Sequence, residues 1–218
     1  TCALPIWGVW ALIVGGAAAR LAFAWATGLG VDESYMVAAG RTLGVGYFDH
    51  PPLAWWLSWG AAHLLGTEAP VAVRMPFIAL FAVSTWLMAR LGTLVGGPRA
   101  GLWAAILFNL SPVFGVTAAT WVLPDGPLDC ALLIFAVCAI PALEDRGWRW
   151  WVGAGIGMGL ALSSKYSAAL TASTSDAADA RVTPLAITTG PETSLTLTMD
   201  GSEGQLLRAT GNLDVDVF

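Results

Sequence analysis

Charge is scarce in this sequence. Only 11% of the 218 residues are Asp, Glu, Lys or Arg, one of them the single lysine, Lys165, and there are only two histidines. Against that, 56% are hydrophobic and the mean hydropathy is +0.68. This balance excludes an ordinary soluble domain, and several apolar runs are long enough to cross a bilayer. Cysteine is scarce too. Cys130 and Cys138 share one apolar run and Cys2 stands alone, with no CxxC pair and no secreted-type framework. All three read as packing residues.

An initiator Met is also lacking. Residues 1–6, TCALPI, resemble the translated end of a common DNA-sequencing adapter. They are expected to be an assembly artefact or a truncated N-terminus. A cleavable signal peptide is a poor reading of the first apolar run, because further runs follow and no clear cleavage site does.

The net charge of −5 is unevenly placed. Through Leu170 there are eight basic and eight acidic residues; after it come two basic and seven acidic. The acidity therefore belongs to a tail, 171–218, rich in Thr, Ser, Asp and Gly. Its stretches 194–199 and 213–218 alternate like short strands. The tail is either a small extramembrane segment or foreign sequence joined by frameshift or chimeric assembly.

Residues 7–170 are expected to form an all-α polytopic membrane region with about five spans, at 7–29, 70–91, 100–120, 127–143 and 150–170. The stretch 53–65 is too short to span and holds His63, Trp55, Trp56 and Trp59. It reads as an interfacial helix. Arg90 and Arg99 bracket one loop, and Arg146 and Arg149 lie in another. The positive-inside rule makes these loops cytoplasmic and turns Asp32, Glu33, Asp49, Glu68 and Asp125 outward. Gly153, Gly155, Gly157 and Gly159 form two overlapping small-xxx-small pairs, expected to serve close helix packing.

In so apolar a chain the polar residues need reasons, since a carboxylate at the bilayer centre costs about 2.5–3.5 kcal/mol even on a lenient scale. The acids cluster at span ends on one side. Asp32-Glu33 reads either as an N-terminal helix cap or as a general base at a cavity mouth. Asp49-His50 lies in GYFDHPPL, 46–53, on a loop stiffened by Pro51 and Pro52. Such a pair can bind a divalent metal or a phosphate, or simply be solvated. Asp125, with Asp129 one turn on, is either a helix cap or a second carboxylate facing the Asp32 cavity. Lys165, beside Tyr166, either snorkels or holds a phosphate. Only Arg20 and Asn109 fall deep within a span.

Five motifs occur in order: DESY at 32–35, GYFDHPPL at 46–53, VRMP at 73–76, LPDGPL at 123–128 and LSSKY at 162–166. Together they resemble the polyprenyl-phosphate-sugar-dependent membrane glycosyltransferases. That superfamily includes the dolichyl-phosphate-mannose protein mannosyltransferases and the bacterial aminoarabinose transferases that modify lipid A. The resemblance implies a C-type glycosyltransferase fold in the bacterial inner membrane, with its active site facing the periplasm or exterior. It implies that Asp32 is the catalytic carboxylate, with Glu33 its acidic neighbour and Asp125 the acid of the second outer loop. Asp49 and His50 would bind the lipid phosphate or a metal, with Lys165 and Tyr166 near the same phosphate. A divalent metal is the only cofactor implied, with no nucleotide or redox group. The implied partners are a polyprenyl-phosphate sugar, a lipid, glycan or protein acceptor and membrane lipids, and no nucleic acid.

The implied chemistry is one displacement at the anomeric carbon, with inversion. Family members carry more spans, so the chain is expected to be inactive alone. Its main rival is a fragment of a transporter with an outward polar path. Convergence of Asp32, Asp49, His50 and Asp125 on one outward cavity separates the two readings.

Overall fold

The computed structural model describes residues 3–175, 194–200 and 206–212. The chain divides into two compact units, residues 1–169 and 170–218.

The first unit is all helical. Helix α1 (Ala3–Ala26) is followed by two shorter helices, α2 (Val31–Gly40) and α3 (Leu53–Leu65). Then come α4 (Pro70–Leu110), a π-helix at Val113–Ala118, α5 (Asp125–Leu143) and α6 (Trp148–Ser164). Helix α7 (Ala168–Ser175) begins in this unit and continues into the second. Among the described residues three helices are long and apolar enough to cross a membrane: Ile6–Ala26, Pro70–Leu110 and Asp125–Leu143.

The 41 residues of α4 are not one rod. Gly97 has φ 82° and ψ 178°, in the left-handed range that glycine enters without penalty, and Pro98 follows. A straight helix would hold Phe81 and Phe108 about 40 Å apart. Their rings stack at 4.9 Å, and Asn109 Nδ2 donates to Thr85 Oγ1 at 3.0 Å. The chain therefore reverses at Gly97 into a helical hairpin. Its arms approach at small residues: a Cβ on Gly92 would lie 2.9 Å from Ala104 Cβ. The hairpin arms match the expected spans at 70–91 and 100–120, the second prolonged by the π-helix. At 17 residues α6 lies at the short end of the spanning range.

The second arm breaks at Ser111, whose ψ of 125° is extended. A break in a lipid-immersed helix frees carbonyls that must find donors inside the protein. Arg20 gives donors to the π-helix that follows the break. Its Nε and Nη2 donate to the Gly115 carbonyl at 3.1 and 2.8 Å, and Nη2 reaches Asn109 Oδ1 at 3.2 Å. The guanidinium rests 4.4 Å from the centre of the Phe81 ring. The two deep polar residues thus form a closed cluster.

Helices α5 and α6 pack antiparallel. A Cβ on Gly153 would meet Cys138 Sγ at 2.7 Å, and one on Gly157 would meet Phe135 N at 2.5 Å. Gly155 and Gly159 have nothing within 4 Å. So only one of the two expected glycine pairs serves packing, because a 3.6-residue period turns the other away. Cys130 and Cys138 are free, as expected of packing residues, and Cys2 lies outside the described residues.

Helix α3 buries Ala54, Trp55, Ser58 and Ala61 and leaves Trp56, Leu64 and Leu65 exposed. Gly66, at φ 67°, ends it. Its 13 residues reach about 20 Å, too short to span, as expected.

The second unit contains an antiparallel pair, β1 (Ser194–Asp200) and β2 (Leu206–Asn212), in register from Ser194 opposite Asn212 to Asp200 opposite Leu206. The first expected strand is β1. The second, 213–218, lies outside the described residues. Instead β2 precedes it, in a stretch whose alternation is weak and whose pairing with β1 decides its state.

Candidate active site

Helix α2 sorts two adjacent carboxylates to opposite faces. Glu33, Met36, Val37 and Gly40 recur at helical spacing and are all buried. Asp32 and Tyr35, three apart on the other face, are exposed. Gly30, in extended conformation, is the N-cap, so Asp32 lies in the first turn and is not the cap. The carboxylate that bonds back to the cap is Glu33, which accepts the Gly30 N–H at 2.9 Å.

Glu33 is 1% exposed and Arg74 2%. Arg74 Nε donates to Glu33 Oε1 at 2.7 Å and Nη2 to Oε2 at 2.6 Å, a two-pronged fork. The Val122 N–H adds a bond to Oε1 at 3.1 Å. Arg74 also donates to the Thr27 hydroxyl at 2.8 Å and to the Gly28 carbonyl at 2.7 Å, where α1 ends. One ion pair therefore ties the end of α1, the start of α2, the start of α4 and the segment before α5. Burial is the largest influence on the Glu33 carboxyl and pushes its pKa up. The Arg74 fork and the Gly30 and Val122 N–H groups together outweigh it, so the pKa lies below the usual carboxylate value.

Sequence reasoning gave Glu33 a catalytic place and Arg74 none. The structure places Glu33 inside a closed network, with four donors on its two oxygens. Two signals pointed there: the inward spacing 33, 36, 37, 40, and an arginine opening an apolar run, which must be paired if buried.

Above the network, Met36, Val37, Ala54, Trp55, Val73, Phe77 and Val122 form one apolar cluster. It seats the 46–53 loop. Tyr47 stacks on Trp55 with ring centres 4.2 Å apart, and His50 meets Trp55 edge-on at 6.4 Å. Tyr47 N–H bonds the His50 carbonyl at 3.2 Å, and Pro51 and Pro52 are buried. Asp49 is exposed and accepts a hydrogen bond from Tyr35 Oη at 2.8 Å. That bond raises the Tyr35 pKa, since the phenolate would face a carboxylate. Tyr35 is a second residue to which sequence reasoning gave no role.

Asp125 opens α5 and accepts from Lys165 Nζ at 2.8 Å; both are partly exposed. Lys165 ends α6 and Tyr166 beside it is exposed. The antiparallel α5–α6 pair brings these positions together over 40 residues of sequence. Asp129 follows Asp125 by one turn.

The candidate residues thus share one end of the bundle. Asp32 adjoins Glu33, which reaches Val122 three residues before Asp125, while Tyr35 on the Asp32 face holds Asp49. Among the described residues the Asp32 carboxylate has no hydrogen-bond or ion-pair partner. Neither Asp32 nor His50 bonds directly to the other acids. Among the described residues no group of three or more His, Cys, Asp or Glu could hold a metal ion. Asp49 and His50 offer two donors, so a metal there would need phosphate or water for its remaining ligands.

The opposite end of the bundle carries Arg90 and Arg99 about the Gly97 turn and Arg146 and Arg149 about the α5–α6 turn. No curated protein and no solved structure matches the chain. A family model described as dolichyl-phosphate-mannose-protein mannosyltransferase matches residues 49–174, more than half of the chain. The match takes in Asp49, His50, Arg74, Asp125 and Lys165 and begins after Asp32 and Glu33. This chain belongs to the dolichyl-phosphate-mannose-protein mannosyltransferase family.

Proposed function

We propose that the protein moves a glycosyl group from a polyprenyl-phosphate sugar to an acceptor hydroxyl at the outer membrane face, with inversion. The observation that carries this reading is the division of labour between neighbouring carboxylates. Glu33 is buried and saturated with donors, whereas Asp32, one residue away, is exposed and has no partner among the described residues. A general base needs free lone pairs and access to its proton. Asp32 has both, so it takes the acceptor's hydroxyl proton as the oxygen attacks the anomeric carbon. The bond to the lipid phosphate breaks in the same step. Lys165 and His50 stabilise the phosphate that leaves, and Asp125 orients Lys165 through its 2.8 Å bond.

On this reading Glu33 is a positioning residue and not a catalytic one. Asp49 and His50 are where a divalent ion would sit with the lipid phosphate. Four arginines about the two turns at the far end favour a cytoplasmic position for that end by the positive-inside rule, with the Asp32 end outside. The acceptor is a hydroxyl of lipid A, a glycan or a protein.

The test supplies a labelled polyprenyl-phosphate sugar and the three acceptor classes to membranes carrying the complete gene product. Asp32→Asn should abolish transfer at unchanged protein level, and retained transfer dismisses Asp32 as the base. The 218 residues alone are expected to be inactive, and transfer by them would overturn that part. A transporter is disfavoured by Arg20 and Asn109, the two deep polar residues, which bond to each other and to backbone carbonyls.

A further inference from the structure

A polar cleft lies at the far end of α2 from Asp32. Its volume is about 260 Å³, and its lining includes Gly40, Arg41, Ser58, Trp59, His63 and Glu68. Arg41 and Glu68 face each other as a fork, with Nε to Oε1 at 2.9 Å and Nη2 to Oε2 at 2.5 Å. Unlike the Glu33 pair, both are open to solvent, at 65% and 40%. The fork leaves other guanidinium N–H groups and carboxylate lone pairs unused. Trp59 contributes an aromatic wall, backed by the His63 ring at 4.0 Å, and His63 Nδ1 lies 2.9 Å from the Trp59 carbonyl. Behind Gly40 sits the indole of Trp55. Its Cδ1 is 3.3 Å from where a Gly40 Cβ would be, and the adjoining Nε1 is a buried donor with no partner among the described residues.

We propose that this cleft binds a neutral saccharide unit, a site separate from the reacting centre. The Arg41 and Glu68 charges cancel, so neither an anion nor a cation gains net attraction. The pair instead presents donors and acceptors together, which is what a ring of hydroxyls requires. A sugar's C–H face is apolar and suits an indole wall, while its hydroxyls suit the polar rim. Nine residues of helix separate Arg41 from Asp32, about 13 Å along the axis, so the unit held here is not the one that reacts. Resting on the transfer reading above, the ligand is a part of the acceptor glycan remote from the attacked hydroxyl. Binding energy from such a remote part serves to orient the reacting hydroxyl.

The test titrates the protein in lipid nanodiscs with three probes, read by saturation-transfer difference NMR. They are a methyl hexoside (glucoside, mannoside or galactoside), the corresponding methyl uronide and the methyl aminohexoside. At least one neutral hexoside should bind saturably, and the charged analogues about fivefold more weakly. Trp59→Ala should weaken binding about tenfold, and Trp59→Phe, which keeps an aromatic wall, should hold it within about threefold. Glu68→Gln should turn the preference toward the uronide and Arg41→Gln toward the aminohexoside. Absence of saturable binding by every neutral hexoside overturns the proposal. So does binding indifferent to Trp59→Ala, or a preference that does not follow the two charge substitutions. Asp32→Asn should leave the binding untouched, so this site and the transfer reading stand or fall separately.

Discussion

Two arginine–glutamate forks, Glu33–Arg74 and Arg41–Glu68, stand at opposite ends of helix α2 and have the same chemistry. They differ in water. The first is 1–2% exposed, the second 40–65%. Inside, each charge would be prohibitively unsolvated without the other and without the Gly30, Val122, Thr27 and Gly28 partners, so the pair is locked. Outside, water competes for every bond, and the pair is worth little to the fold but stays available to a ligand. The same two side chains are a joint in one place and a reading surface in the other.

The sharpest break of that comparison is to remove half of the buried fork. Arg74→Met leaves the Glu33 charge buried, and Glu33→Gln leaves the Arg74 charge so. Each should cost about 3–5 kcal/mol in chemical unfolding of the detergent-solubilised protein. In the double variant the losses should not add, because the second change removes a charge that the first left stranded. A loss under about 1 kcal/mol from either single change would mean the fork is not the joint between α1, α2 and α4.

Acid should separate the two forks next. The Glu33 pKa is lowered in the fold, so as pH falls the unfolded chain takes up its proton first. Stability from Glu33 is therefore fully present above about pH 4.5 and is lost as pH drops through the lower folded value. Glu68 shifts in the same direction, because Arg41 bonds its carboxylate. It is exposed, and about 1 M salt shortens screening to about 3 Å. Thermal unfolding followed from pH 6 to 3 should thus fall in both low and high salt. In Glu33→Gln the fall should shrink, and in Glu68→Gln it should persist.

Much of the fold was legible because lipid demands it. The Gly97-Pro98 pair between two apolar arms marks a reversal, and the antiparallel α5–α6 turn with Gly153 and Gly157 marks close packing. The break at Ser111 is marked by Pro112, which pushes the residue before it to extended backbone, although one continuous span at 100–120 was expected. Not legible was the contact of Arg20, some 90 residues away, with the π-helix that follows. The site was legible in its membership and less so in its roles. Adjacent acids look alike in a motif, and only the spacing of Met36, Val37 and Gly40 sends Glu33 inward and Asp32 outward. The Lys165–Asp125 bond depends on two helix ends meeting, which hydropathy implies but does not pair.

The smallest effect makes the comparison most exact. Arg41→Gln removes the exposed fork without burying a charge, because Glu68 then faces water. The thermal transition should not move measurably, in contrast to Arg74→Met, although both substitutions delete an arginine from a fork. What should change is the charge preference of the cleft, read by the same sugar titration. A marked fall in thermal stability with Arg41→Gln would show that the second fork is also a joint, holding α2 to the segment before α4. Its availability to a ligand would then be lost, and with it the reason for a saccharide to settle there.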